Sequence, residues 1–210
     1  MTIRYEEITK KHIQGIWQLD FDAWFKNHAE ADYEHVVADV NIDINNLLQR
    51  STYGVVALDG DEVVGVALAS AHNKISEDSL ARLSDHTLQD ILTLLKAPEK
   101  YRQDYAEFLE ADITAYENIF EATAYKAENE LVLLIVSAKY HNMHVGSNLV
   151  NSVRDYFRSL GVANFYVKTD DSSNYKFYEK TGFKLIGEYA DKSLRDNGDS
   201  YNFYLYGIDI

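Results

Sequence analysis

The sequence predicts a mixed α/β domain on a largely antiparallel sheet, and three features carry that prediction. Asp59-Gly60-Asp61 separates the apolar runs 54–58 and 63–69, which is a strong hairpin signal. The nearly continuous apolar run 131–136 suits a central strand, and loop, helix and strand patterns follow it in α/β order. Two further strand-like runs, 183–189 and 201–208, close the chain.

The remaining elements follow in order. Residues 3–8 alternate apolar and polar and read as a first strand. Ile13, Ile16, Trp17 and Leu19 suit one helix. Val36, Val37, Val40, Ile44, Leu47 and Leu48 suit a second, with Asp32 as its N-cap. The segment 75–125 breaks the rhythm. Leu80, Leu83, Leu88, Ile91, Leu92 and Leu95 recur at helical spacing, Pro98 interrupts, and Tyr101, Tyr105, Phe108, Leu109, Ile113, Tyr116 and Phe120 resume. This predicts a helical-hairpin insertion between the third and fourth strands, its aromatic stripe packed on the sister helix. Beyond 131–136, a loop over 137–145 leads into a helix with the stripe Leu149, Val150, Val153, Tyr156, Phe157 and Leu160. A strand over 165–169 and a short helix over 174–180, ended by Gly182, complete the pattern. One domain over 1–210 is expected.

Composition narrows the function. The 210 residues suffice for one sizeable core, and a hydrophobic share of 46% argues against disorder. A net charge of −14, with no basic tract, repels nucleic-acid phosphates and anionic membranes, so neither is an expected partner. The same charge attracts cationic amines, or serves solubility alone. Without cysteine there is no thiol nucleophile, disulfide or zinc-thiolate site. Residues 1–8 do not read as a signal peptide and no apolar run is long enough to span a bilayer, so a cytoplasmic protein is expected.

Two segments carry chemistry. Residues 136–149 read Val-Ser-Ala-Lys-Tyr-His-Asn-Met-His-Val-Gly-Ser-Asn-Leu, a strand end, a turn and a helix start. Residues 174–183 read Asn-Tyr-Lys-Phe-Tyr-Glu-Lys-Thr-Gly-Phe. The first resembles motif A of the GNAT acetyltransferases, in which Gln/Arg-x-x-Gly-x-Gly/Ala opens a helix. The matching positions are His141, His144 and Gly146, and only Gly146 fits strictly. The second is similar to the family's motif B, an asparagine, a Phe-Tyr pair and Gly-Phe entering a strand. The resemblance is good over 131–189, compatible with the N-terminal half, and does not cover 75–125. It implies a GNAT-type fold, acetyl-CoA as acyl donor, and direct transfer to a primary amine in a ternary complex.

The residues fit that implication. A helix N-terminus offers free N–H groups and partial positive charge to a pyrophosphate, and the turn His141, Asn142, Met143, His144, Val145, Gly146, Ser147 supplies one. Asn142 tolerates a left-handed backbone, Gly146 admits close approach and Ser147 adds a hydroxyl. Read alone, the segment is equally an ordinary strand-to-helix loop. His141 and His144 have the spacing of a metal pair, but no further ligand lies near in sequence and no metal is expected. By resemblance, Tyr178 donates a proton to the departing thiolate, while among 16 tyrosines it also reads as core. Asn174 would bond the pantetheine arm or its own turn. Glu130, with Glu128 as alternative, falls where some family members place the base that deprotonates the amine; a solvated strand-end acid is the other reading. Leu134, Ile135 and Val136 would pair with the cofactor through backbone. Asp170 and Asp171 either meet a cationic substrate or cap a helix. Trp17, Phe21, Trp24 and Phe25 either pack in the core or form a substrate wall.

The acceptor is then a small-molecule or peptide amine. Two other functions stay open: an inactive acyl-CoA-binding sensor, and an interaction protein that assembles, as a homodimer for instance, through its insertion.

Overall fold

The hairpin forms where the Asp-Gly signal places it. The computed structural model describes residues 2–27, 29–74, 79–85, 87–126, 128–195 and 199–210, with backbone alone for 29–31. In it β2 (Tyr53–Asp59) pairs antiparallel with β3 (Glu62–Ser70) across a two-residue turn, with Gly60 at φ +63°. The start of the expected insertion, 75–78, lies outside the described residues. Two compact units emerge, Met1–Ala97 with Leu131–Gly161, and Pro98–Glu130 with Val162–Ile210.

In the first unit β1 (Arg4–Glu7) pairs antiparallel with β2, and β4 (Glu130–Val136, here from 131) is the other neighbour of β3. β4 is not buried evenly on both faces. Leu131, Leu133 and Ile135 are buried, whereas Val132, Leu134 and Val136 are half-buried. α1 (Ile13–Asp20) lies on β3 and against α2 (Ala29–Gln49). Asp32 breaks α2, with φ −159° and ψ 63°, and its carboxylate meets Nδ1 of His35. The regular helix therefore starts after the acid that the sequence marks as its cap.

The apolar period over 80–95 does not give one helix. A 3₁₀ turn, Leu80–Leu83, buries Leu80 and Leu83, and Ser84 then turns extended at ψ 158°. The next residue, Asp85, gives its N–H to Asn45 Oδ1 at 2.7 Å. α3 (Leu88–Leu94) follows and packs on α2, where Asn41 Nδ2 donates to Asp90 Oδ1 at 2.8 Å; Leu88, Ile91, Leu92 and Leu95 stay exposed. Polar side chains, Asn41 and Asp90, rather than the exposed leucines make this α2–α3 bond. α4 (Glu99–Thr123) belongs to the second unit.

In that second unit β5 (Asn164–Asp170), β6 (Lys184–Asp191) and β7 (Tyr201–Asp209) run in the order β5-β7-β6, all antiparallel. Glu130 belongs here and pairs in parallel with Tyr166. α4 lies over β6 and β7, where Ala111, Ala115, Tyr116 and Ile119 pack with Phe203 and Leu205. Of its expected stripe, Phe108, Tyr116 and Phe120 face the sheet, whereas Tyr105, Leu109 and Ile113 are exposed. Both sequences of spacing suit a helix, and only the partner surface differs. Among the described residues, two α-helices stand between β3 and β4 along the chain.

α5 (Val145–Ser159) lies on β2 and β3 and buries Val145, Leu149, Val150, Val153 and Phe157. Each such aliphatic or aromatic side chain contributes roughly 1.5–3 kcal/mol when fully buried. Tyr156, expected on the stripe, turns aside to stack on Tyr53 at 4.5 Å and donates to Thr52 Oγ1 at 2.8 Å. Gly65 of β3 allows the close approach. A Cβ there would lie 3.0 Å from Leu149 Cδ1 and 3.2 Å from the Ile135 carbonyl.

Candidate active site

The first unit holds the turn that the sequence offers as an anion cradle. β4 ends at Val136, and Ser137 donates its N–H to the Val64 carbonyl at 2.9 Å. A 3₁₀ turn, Ala138–Tyr140, follows. Tyr140 is 1% exposed and its hydroxyl donates to Asp59 Oδ2 at 2.9 Å, anchoring the loop to the end of β2. Sequence reading passed over Tyr140; an aromatic in a polar loop is the signal that would have found it.

Beyond this anchor the backbone turns left-handed twice, at Asn142 (φ 63°) and at His144 (φ 61°, ψ 8°). The asparagine suits that region, but a histidine there costs about 1–2 kcal/mol. His144 occupies the position that resembles the family's glycine, and the dihedral shows why glycine fits it. The helix opens at Val145, one residue before Gly146. The first bond back along the helix is from Asn148 N–H to the His144 carbonyl at 3.0 Å. The N–H groups of Val145, Gly146 and Ser147 thus lack intrahelical partners, as at any helix start. No acidic residue stands in this first turn. The geometry fits a pyrophosphate, which takes free N–H donors and a positive helix end.

His141 and Met143 are exposed at the turn. The imidazole of His141 lies with Nε2 2.9 Å from the Val136 carbonyl. A carbonyl only accepts, so Nε2 carries the proton in that bond. Leu134 and Ile135 precede this tie on β4; Leu134 is half-buried and Ile135 buried.

The second unit holds Tyr178, Asn174 and Glu130. α6 (Lys176–Lys180) ends in a complete Schellman motif. Phe183 N–H donates to the Tyr178 carbonyl at 3.0 Å, and Gly182 N–H to the Glu179 carbonyl at 3.1 Å. Gly182 stands at φ +91°, which a side chain resists. The rings of Tyr178 and Phe183, 5.5 Å apart, supply the motif's apolar contact. The tyrosine-to-glycine spacing of the second sequence motif is therefore a local device that fixes Tyr178. Its ring also lies 5.9 Å from Tyr206, and the residue is 8% exposed. Burial first, then the charge of Asp170, pushes the phenol up, so it is protonated across the neutral range. Asn174 is exposed and its carbonyl accepts the Phe177 N–H at 2.9 Å.

Glu130 is buried, at 8% exposure. Its register with Tyr166 puts it on the Tyr166, Lys168 and Asp170 face of β5, where Phe120 meets Tyr166 at 5.4 Å. Phe165, on the opposite face, meets Phe183 at 5.4 Å beside Tyr178. The two candidate catalytic groups thus stand on opposite faces of this sheet. Tyr116 of α4 joins Glu130's face: its hydroxyl donates to the Thr169 carbonyl at 2.9 Å and Glu130 acts on it electrostatically. Glu128, the alternative acid, is exposed. Asp170 and Asp171 are engaged structurally. Asp170 accepts from Ser172 N–H at 2.8 Å, and Asp171 from Arg195, Asn202 and Tyr204 at 2.9–3.2 Å.

The sequence pattern of the acetyltransferase (GNAT) family matches residues 13–183. The chain belongs to the GNAT acetyltransferase family. Members of this family typically use acetyl-CoA. The fold of this acetyltransferase is similar to that of several solved structures. One is smu.2055 from Streptococcus mutans UA159 (TM-score 0.57, 16% identity, 98% of each chain covered). Another is a PaiA N-acetyltransferase from Thermoplasma acidophilum in complex with coenzyme A (TM-score 0.56, 11% identity, 100% of each chain). A third is the ribosomal-protein-S18-alanine N-acetyltransferase from Escherichia coli (TM-score 0.54, 11% identity, 100% of this chain and 94% of that one). No curated protein matches the acetyltransferase by sequence. None of its described helices is long and apolar enough to cross a membrane.

Proposed function

We propose that this acetyltransferase transfers the acetyl group of acetyl-CoA to a primary amine by direct attack in a ternary complex. The observation that carries the reading is the double left-handed turn at Asn142 and His144, which frees three N–H groups at the start of a 15-residue helix. His141, Asn142, Met143, His144, Val145, Gly146 and Ser147 hold the pyrophosphate, chiefly through backbone. Leu134, Ile135 and Val136 offer backbone to the pantetheine arm, and Asn174 offers its amide. Bound acetyl-CoA supplies a thioester whose carbonyl carbon is the electrophile. The ammonium gives up its proton to Glu130 through water, or to bulk water, since Glu130 stands on the sheet face opposite Tyr178, and the neutral amine attacks. Tyr178, kept protonated by burial, gives a proton or hydrogen bond to the departing sulfur. No thiol exists to hold a covalent acyl group, so the amine attacks the donor itself.

Calorimetric titration with acetyl-CoA, followed by thiol release across an amine panel, tests the proposal. Micromolar binding with turnover supports it, and absence of binding at millimolar ligand removes it. One observation favours a second reading, an acyl-CoA-binding sensor without turnover. The His141 ring meets the Val136 carbonyl, which the first reading gives to the pantetheine arm. Binding without turnover, restored to turnover in His141→Gln, would select that reading.

A further inference from the structure

The turn that carries the proposed cofactor site is exposed, strained and held from its two ends. His141, Asn142, Met143 and His144 are all exposed. Asn142 and His144 stand at positive φ, a backbone that the surroundings must impose. The backbone bonds of the turn are long: Met143 N–H meets the Tyr140 carbonyl at 3.4 Å, and His141 N–H the Ala138 carbonyl at 3.2 Å. The His141 ring adds a tie back to the Val136 carbonyl at 2.9 Å. The flanking residues are the opposite, for Tyr140 and Val145 are each 1% exposed. Whatever fixes these two fixes the curve of the four residues between them.

Packing fixes the downstream end. Val145 Cγ1 would lie 3.3 Å, and Leu149 Cδ1 3.0 Å, from a Cβ on Gly65, so the first turn of α5 sits on bare strand backbone of β3. A polar bond fixes the upstream end. The Tyr140 hydroxyl donates to Asp59 Oδ2 at 2.9 Å, and Lys139 Nζ lies 5.2 Å from the centre of the same ring. A hydroxyl given to a carboxylate makes a charge-assisted bond, stronger than a neutral one. Its acceptor is itself held. Asp59 ends β2 and pairs with Glu62 across the hairpin turn. Arg4 of β1 braces that turn, donating to the Gly60 carbonyl at 2.6 Å and lying 3.8 Å from the Asp61 carboxylate.

We infer that Tyr140 and Asp59 are positioning residues for the acyl donor. Their bond holds the turn 141–144 in the shape that receives a pyrophosphate, and so sets acetyl-CoA affinity rather than the rate of transfer. The inference rests on the proposed cofactor site and adds the hairpin end as its abutment. With the bond cut, the ligand must order two left-handed residues at the cost of its own binding energy. The packing of Val145 and Leu149 on β3 is untouched, so α5 keeps its place.

The test is calorimetric titration of the full chain with acetyl-CoA, well below each variant's melting temperature, together with steady-state kinetics. Tyr140→Phe keeps the ring and removes the donor. It should weaken acetyl-CoA about tenfold and raise its KM by a similar factor, with kcat unchanged. Asp59→Ala should do the same, and the double variant should lose no more than either single one, because both cut one bond. Asp59→Asn keeps an acceptor oxygen and should stay within about threefold of the parent. Tyr156→Phe is the control. It removes another tyrosine bond of the same unit, to Thr52 Oγ1 at 2.8 Å, near the far end of α5. It should lower the melting temperature and leave acetyl-CoA affinity unchanged. An equal loss of affinity in Tyr156→Phe, additive losses in the double variant, or a fall in kcat at unchanged affinity overturns the inference. A parent chain that binds no acetyl-CoA overturns the transferase reading and this inference with it. A parent that binds, with Tyr140→Phe binding as tightly, overturns this inference alone.

Discussion

Asp20 makes the protein's stability depend on pH in a direction opposite to that of most carboxylates. Burial, and then the charges of Asp43 and Asp39, push its carboxyl from 3.8 up to about 8. Between those values the folded protein holds a proton that the unfolded chain has released, so stability falls as pH rises through this window. At about 1.4 kcal/mol per pKa unit, the loss between pH 5 and pH 7.5 is of order 3 kcal/mol. The loss is complete above the folded value and absent below the unfolded one. Asp20→Asn removes the titration and keeps the shape. Its stability relative to the parent should therefore be small at pH 5 and should grow by about 3 kcal/mol at pH 7.5. Urea unfolding at the two pH values measures this, and at roughly 1–3 kcal/mol per molar the midpoint gap widens by about 1 M or more. Parallel pH curves for parent and variant would refute the reasoning, because they would mean that Asp20 ionises as freely when folded as when unfolded.

Four other perturbations probe the proposed site and its scaffold. Tyr178→Phe should lower kcat by about 10²–10⁴ with acetyl-CoA affinity nearly intact, since the hydroxyl acts only as sulfur departs; steady-state kinetics with calorimetry decides it. Glu130→Gln should lower the rate or shift the acidic limb of the pH–rate profile, and an unchanged profile would move deprotonation to another group or to bulk water. His144→Gly should relieve the left-handed strain of about 1–2 kcal/mol, partly offset by the entropy of glycine in the unfolded chain, and thermal denaturation should show a rise rather than a loss. Gly182→Ala should lower the melting temperature by a few degrees, because a side chain at φ +91° costs about 1 kcal/mol or more, and should reduce kcat by displacing Tyr178.

Much of the site's local form was legible because it depends on neighbours in sequence. The Asp-Gly turn, the α5 stripe and the asparagine-to-glycine motif each place their structure within about ten residues. Asp20, Asp39 and Asp43 were also legible in retrospect, as acids at positions where the helical period calls for apolar side chains.

What the sequence determined by itself is the set of elements, the left-handed tolerance of Asn142, the glycine that ends α6 and the resemblance that brought Tyr178 and Glu130 into view. These follow from dihedral preferences and short periods, which a chain carries locally. Tertiary structure alone decided which surface each stripe meets. It set α4 on β6 and β7, left Leu88, Ile91 and Leu92 of α3 exposed, put Glu130 and Tyr178 on opposite faces of one sheet, and closed Asp20 away without a hydrogen-bond partner among the described residues. Each outcome depends on strand register and on helix packing between residues far apart in the chain, and periodicity fixes a face without naming its neighbour.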